Sequence, residues 1–359
     1  MTDLLYSEDE TDLRAAVRAL LTARADPAAA LAAPGAESGA PADPALWRAL
    51  AAEVGAAGLL VPEKLGGAGA GHREAAVVLE ELGRAVAPVP YLTSSVVATS
   101  VLLALPPGAA TEALLRDLAE GRRTAALAVP LSLAPGDPLP GATDRITPVA
   151  DGASADVLLV PGPDGLRAVE AQDALVEPLV ALDLTRPLAA VTVPAGAGTP
   201  LAGAAESERA VGRGLLTGAA LLASEQLGIA EWCLEETVRH TRERHQFNRP
   251  VGSFQALKHR MAGTWLEVVS ARAAARAAAD ALATGSEDTA LLTAVAQTYC
   301  SGAAVRAAEE CVQLHGGIGM TWEHPAHLYL KRAKADATAF GAPGRHKETV
   351  AALTGLPAP

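Results

Sequence analysis

Apolar positions recur three and four residues apart over most of this chain, and the stretches that break this rule define its organisation. Helical periodicity runs over residues 11–25, 44–55, 71–86, 92–105 and 108–120. Gly and Pro clusters separate these segments, and Ala-Pro-Gly-Ala-Glu-Ser-Gly-Ala-Pro-Ala-Asp-Pro at 33–44 reads as a loop. From Thr124 the period changes. Short β-like runs at 125–129, 157–160, 166–169 and 189–193 alternate with Pro-Gly-Asp-Pro, Asp-Gly and Pro-Gly-Pro-Asp-Gly turns, which predicts a small β domain. A Gly/Ala-rich stretch at 195–205 reads as a linker. Beyond it the helical period returns in four long stretches, 207–243, 252–283, 288–315 and 324–339, enough for a four-helix bundle. The expected fold class is therefore mainly α with a small β domain: an N-terminal helical domain (1–123), a middle β domain (124–200) and a C-terminal helical bundle (201–359).

Composition narrows the function classes. With 359 residues, half of them hydrophobic, the chain has material for more than one core; aromatics are only 3 %, so Ala, Leu and Val must pack the helices. A formal net charge of −12 argues against nucleic acid or an anionic membrane as partner, since phosphate neutralisation needs clustered Lys and Arg. The patch from Arg239 to Arg249 is too short for a DNA site and is interrupted by Glu243. Every apolar run is broken by Arg, Glu, His or Pro, so a soluble, cytoplasmic protein is expected. Cys233, Cys300 and Cys311 have no Cys-x-x-Cys spacing and read as reduced core thiols. His315, His324 and His327 lack an i,i+4 pair and a partnering carboxylate motif, so no metal is assigned.

Two segments carry chemistry. Gln313-Leu314-His315-Gly316-Gly317-Ile318-Gly319-Met320-Thr321-Trp322-Glu323-His324-Pro325 ends a long helix with paired glycines, where the absence of Cβ atoms lets backbone approach a flat or phosphorylated ligand. Arg244-His245-Gln246-Phe247, followed by Phe254-Gln255, closes one helix and opens the next, and Arg244 can form a two-pronged contact to a diphosphate. With these residues the chain resembles the acyl-CoA dehydrogenase family of flavoproteins, whose Arg-x-x-Phe turn, Phe-Gln pair and Gln-x-x-Gly-Gly turn hold the FAD diphosphate and adenine of a neighbouring subunit. The resemblance implies FAD as cofactor and Arg244, Gln246, Phe247, Gln255, Gln313, Gly316 and Gly317 as its ligands. It extends to Gly58-Leu59-Leu60-Val61-Pro62-Glu63, Gly66-Gly67 and Glu80-Glu81-Leu82-Gly83-Arg84 in the N-terminal third, and the helical, β, helical order is the family's own.

Departures from the family pattern are as informative. Its α-proton base is a glutamate, placed beside the thioester. One family location falls here at Phe340, before Gly341; the other falls at Gly218 in Leu215-Leu216-Thr217-Gly218-Ala219. Neither residue can accept a proton, so no catalytic residue is assigned. Glu225, two helical turns beyond Gly218, serves as base only if the pocket is displaced by about 10 Å. The β-domain turn and tryptophan strand that touch the isoalloxazine in the family are missing: Ala128-Val129-Pro130-Leu131-Ser132 stands in the first place, and 124–200 contain no tryptophan.

What the resemblance implies is a subunit in α,β-dehydrogenation of a CoA thioester, such as a steroid side chain or another bulky acyl group. It would lend FAD ligands to a paralogous catalytic chain in an α2β2 assembly, with an electron-transferring flavoprotein as acceptor. The alternatives are a homomeric acyl-CoA or acyl-carrier dehydrogenase with a non-standard base, and a flavin-free scaffold.

Overall fold

A computed structural model describes residues 4–25, 43–139 and 145–356; most of the predicted loop at 33–44 lies outside them. The N-terminal helices are α1 (Glu8–Arg24), α2 (Pro44–Glu53), α3 (His72–Ala85), α4 (Thr99–Leu103) and α5 (Ala109–Ala119). Ser7 and Glu10 close a capping box on α1, and Asp43 caps α2 ahead of Pro44 at its first position. The single helix expected over 92–105 is instead a π-helical segment, Tyr91–Ala98, continued by α4; the Thr99 hydroxyl donates to the Ser94 carbonyl five residues back, at 2.9 Å.

The middle domain is two small sheets. One has the order β1 (Ala125–Leu127), β3 (Val157–Gly162), β4 (Gly165–Glu170), β7 (Thr199–Ala202); the other β2 (Ile146–Ala150), β6 (Leu188–Thr192), β5 (Leu175–Leu179). All pairings are antiparallel except β1 with β3. The expected linker at 195–205 thus contains a strand, β7, that closes the larger sheet.

The C-terminal bundle comprises α6 (Ala204–Glu243), α7 (Gln255–Thr284), α8 (Thr289–His315), α9 (Ala326–Asp336) and α10 (Pro343–Leu353), so one helix follows the four expected. α6 is the axis of the molecule, packing on α3, α7 and α8. It meets α3 backbone to backbone: a Cβ at Gly83 would lie 2.2 Å from the Glu225 carbonyl oxygen, and one at Gly228 1.9 Å from the Glu80 carbonyl oxygen. One core of Ala, Leu and Val joins the N-terminal helices to the bundle. Trp232 and Tyr329 stack inside it at 3.5 Å. No described helix is long and apolar enough to cross a membrane.

Candidate functional site

Three helix ends converge at one end of the bundle. α6 stops at Glu243 and Arg244 leaves it in extended conformation, φ −75°, ψ 123°. A hairpin of β8 (His245–Gln246) and β9 (Arg249–Pro250) follows, and α7 starts after Phe254. Gly316, at φ 63°, stops α8. Between these ends lies a cavity of about 500 Å³ lined by Arg244, Gln246, Gln313, Gly316 and Gly317 together with His240, His315 and Arg260. Five of the seven sequence-predicted ligands thus meet around one space. Phe247 and Gln255 are not on its wall: Phe247 is 86 % exposed, its ring edge on Phe254 at 6.1 Å.

The two arginines of the cavity differ in how free their charge is to meet a ligand. Arg260 is paired to Glu310 through two hydrogen bonds of 2.7 and 2.8 Å, whereas Arg244 makes no ion pair with any described residue. A Cβ at Gly316 or Gly317 would meet nothing within 4 Å, so both face open space. An unpaired guanidinium, free amide side chains and a two-glycine backbone are what an anionic, flat-headed ligand needs. His240 was not among the predicted ligands; its place on the last turn of α6, where its carbonyl accepts from the Arg244 N–H, is the signal that points to it.

Both family base positions are closed by packing. Phe340 is buried at φ 52°, its N–H donating to the Leu131 carbonyl at 2.7 Å and its carbonyl within 3.0 Å of His346 Nε2. A Cβ on Gly218 would lie 3.0 Å from the Phe340 ring and 2.7 Å from a Val97 methyl, so no longer side chain fits at 218. What remains between Phe340, Val97, Leu131 and Leu215 is a cavity of about 20 Å³, room for a single water and not for an acyl chain.

Glu225 is held elsewhere. Its carboxylate accepts from Arg186 Nη2 at 2.7 and 2.8 Å and from Arg332 Nη1 at 2.5 Å, and all three side chains are buried. Arg186 also pairs with Asp336, and Arg332 with Asp183. The network ties the β5–β6 connection to α6 and α9. Burial alone would raise the pKa of Glu225, but the two guanidinium groups outweigh it and hold the group below the usual carboxylate range. That is an ion-pair anchor, the opposite of a base awaiting a proton.

Two guanidinium groups cannot neutralise all the carboxyls packed around them. Burial, then the Glu225 charge, pushes Asp336 up to about 7, and burial pushes Asp151 up to about 6; in the separate cluster around Arg14, burial with the Glu231 charge raises Glu80 to about 7. Folded pKa values above the unfolded ones mean that the native state binds more protons, so this stability is complete below about pH 4 and is lost as pH rises through the folded values. His72, lowered to about 4 chiefly by burial, works in the opposite sense, but below its unfolded value near 6.5. Between pH 6.5 and 8 the Cys311 thiol, drawn down to about 5 chiefly by its hydrogen bond with Cys233, opposes them, so the carboxyl contribution is read as a difference between wild type and Asp336→Asn. The unfolding free energy from urea titration is therefore expected to fall more, or rise less, with pH in the wild type than in Asp336→Asn across that window, by at most about 1.4 kcal/mol per pH unit for this one group. The same pH dependence in the two proteins contradicts this assignment.

The absence of a carboxylate beside the C-terminal histidines needs correction. Glu236 Oε1 lies 3.4 Å from His324 Nε2 and 3.7 Å from His315 Nε2. The carboxylate comes from α6 and the histidines from the end of α8 and the turn after it, so no spacing along the chain could reveal the group.

Comparison with known proteins gives this geometry a family. Residues 7–122 match the acyl-CoA dehydrogenase N-terminal domain and residues 209–354 the acyl-CoA dehydrogenase C-terminal domain. The acyl-CoA dehydrogenase IpdE2 of Mycolicibacterium smegmatis is 39 % identical over 94 % of this chain and 96 % of its own length. This chain belongs to the acyl-CoA dehydrogenase family. IpdE2 of Mycobacterium tuberculosis is 38 % identical over 94 % of each chain. Among solved structures, a chain of the ChsE4-ChsE5 complex from Mycobacterium tuberculosis superposes with a TM-score of 0.86 at 27 % identity, covering 99 % of this chain and 100 % of its own. A chain of a Tcur3481-Tcur3483 steroid ACAD variant gives 0.83 at 28 %, covering 97 % and 98 %. Acyl-CoA dehydrogenases are FAD-dependent oxidoreductases acting on CH–CH bonds. The residues here fit one half of that cofactor: the unpaired Arg244 and the open glycine turn suit a diphosphate and adenine, while the region of Phe340 is filled by protein.

Proposed function

We propose that this chain is the flavin-completing, non-catalytic subunit of a paired acyl-CoA dehydrogenase. It would act with a paralogous chain, as α2β2, in α,β-dehydrogenation of a bulky CoA thioester of steroid origin. One contrast carries the reading: the cavity of Arg244, Gln246, Gln313, Gly316 and Gly317 is open and its guanidinium unpaired, while the acyl position is reduced to about 20 Å³ behind Phe340. Arg244 and the Gln313 amide would bind the diphosphate and adenine of an FAD whose ring lies in the neighbour, and Gly316 and Gly317 would admit that ligand to backbone contact. FAD supplies the hydride acceptor; the α proton must go to a carboxylate of the partner, because Phe340 and Gly218 have none to offer. The similarity to a chain of the ChsE4-ChsE5 complex supports the pairing, that to a chain of the Tcur3481-Tcur3483 steroid ACAD supports the pairing and the substrate class, and family membership suggests an electron-transferring flavoprotein as the next acceptor. Phe247 and Gln255, off the cavity wall in the single chain, remain ligands of this proposal through the hairpin and the first turn of α7.

Arg244→Ala is expected to lower the flavin content of the assembled complex, since a charge-assisted two-pronged contact contributes about 1.5–3 kcal/mol, or roughly 10- to 100-fold in affinity. The measurement is the flavin-to-protein absorbance ratio after gel filtration of the co-expressed pair. Undiminished occupancy in the mutant sinks the assignment.

A further inference from the structure

The histidine cluster beside the flavin cavity is not used by the proposed function. His315 ends α8 with its side chain fully buried, and its Nδ1 sits 2.6 Å from the Cys311 carbonyl oxygen. That contact places the proton on Nδ1 and leaves Nε2 as an acceptor. His315 Nε2 is buried without a hydrogen-bond partner, yet it faces a carboxylate, Glu236 Oε1, at 3.7 Å. Two acceptors directed at one another in a buried space leave room for a cation between them. His324 Nε2 lies 3.4 Å from the same oxygen, and the three ligand atoms all fall within 4.8 Å of one another. The His240 ring packs on His315 at 4.2 Å between centroids and His324 packs on it at the same distance, which fixes the imidazole planes.

We propose that Glu236, His315 and His324 form a binding site for a divalent transition-metal ion of the zinc class, with a fourth position left to water. Tetrahedral zinc with nitrogen and oxygen ligands at about 2.0–2.2 Å has ligand–ligand edges of about 3.3–3.6 Å, and the two recorded edges, 3.4 and 3.7 Å, are close to that without a metal. Two imidazoles and one carboxylate suit zinc, cobalt or nickel better than magnesium or calcium, which prefer an all-oxygen shell. The Cys311 carbonyl on Nδ1 of His315 is the outer partner that such ligands characteristically have. Three contacts must give way. Arg239 Nη2 also donates to Glu236 Oε1, but this guanidinium is 55 % exposed and keeps its 2.8 Å bond from Nε to Oε2. Ligation through His324 Nε2 gives up the hydrogen bond that Nε2–H donates to Glu236 Oε1 at 3.4 Å, and the shift of that proton to Nδ1 gives up the 3.2 Å bond that Nδ1 accepts from the Ala326 N–H. The loaded site would join α6, the end of α8 and the turn before α9, and so brace the Gln313–Gly317 turn from behind. It does not depend on the flavin reading.

The chain purified without a histidine tag and stripped with a chelator is titrated with Zn²⁺ by calorimetry and with Co²⁺ by visible absorbance. One ion per chain is expected, with the intense ligand-field bands of four-coordinate Co²⁺. His324→Ala and Glu236→Gln should each weaken binding at least ten-fold, in variants whose far-ultraviolet circular dichroism is unchanged; Glu236→Gln keeps the side-chain volume in case His324→Ala fails to fold. His327→Ala removes a neighbouring imidazole outside the trio and should leave binding intact. No uptake at one equivalent, uptake indifferent to both ligand substitutions, or loss with His327→Ala alone would each overturn the proposal.

Discussion

Glu225→Ala is expected to destabilise the chain by about 3–5 kcal/mol, because it leaves the Arg186 and Arg332 guanidinium groups buried without their shared carboxylate. The cost is that of an uncompensated charge in the interior, far above the worth of an exposed pair. Arg186 keeps Asp336, and Arg332 keeps Asp183 and the Thr185 carbonyl at 2.9 Å, so the loss is partial and the fold should survive to be measured. Glu225→Gln retains the volume and removes the charge, and should fall between wild type and alanine. The control is Arg116→Ala, which breaks an exposed i,i+4 pair with Glu112 and should change stability by less than about 0.5 kcal/mol. Urea unfolding at pH 7 of the three variants decides it. If Glu225→Ala is no more costly than Arg116→Ala, Glu225 is not the anchor described, and its candidacy as a base has to be reopened.

What the sequence concealed follows a physical rule in each case. The strands that pattern alone failed to reveal, Ile146–Ala150, Leu175–Leu179 and Thr199–Ala202, contain Pro148, Pro178 and Pro200, and all three lie at sheet edges. Proline lacks the N–H that an interior strand must donate, so edges are where it is tolerated and also where the strand pattern is weakest. Of the β runs that were legible, those around Val157, Leu166 and Ala189 lie in the sheet interiors, and the fourth, at 125–129, is an edge strand that contains no proline and is buried throughout. The long helices were legible to within a few residues because their period persists for several turns. In the site, Arg244 and Gln313 could be read because helix ends are marked by local residues, Gly316 above all. The Glu236–His315–His324 group and the Arg186–Glu225–Arg332 network could not, because each joins residues from separate elements whose meeting depends on how α6 crosses its neighbours. The α3–α6 crossing is a further case: it rests on Gly83 and Gly228, whose need for close backbone contact is invisible until the partner helix is in place.

Turnover is expected only from the assembled pair. The chain expressed alone should leave an acyl-CoA of the steroid class unoxidised, since Phe340 fills one base position, Gly218 has no room for a carboxylate at the other, and Glu225 is locked between two arginines. In the pair, changing the partner's active-site glutamate to glutamine should lower kcat by about 10²–10⁴, the usual effect of removing a general base, while leaving KM within a few-fold because substrate binding is untouched. Arg244→Ala in this chain should act differently: it should reduce activity in proportion to flavin lost, and added FAD should restore activity toward the parent value. The two signatures separate a chemical role in the partner from a binding role here. Vigorous dehydrogenation by this chain as a homo-oligomer would show instead that a base exists within it, and would require the space now held by Phe340 to open when substrate binds.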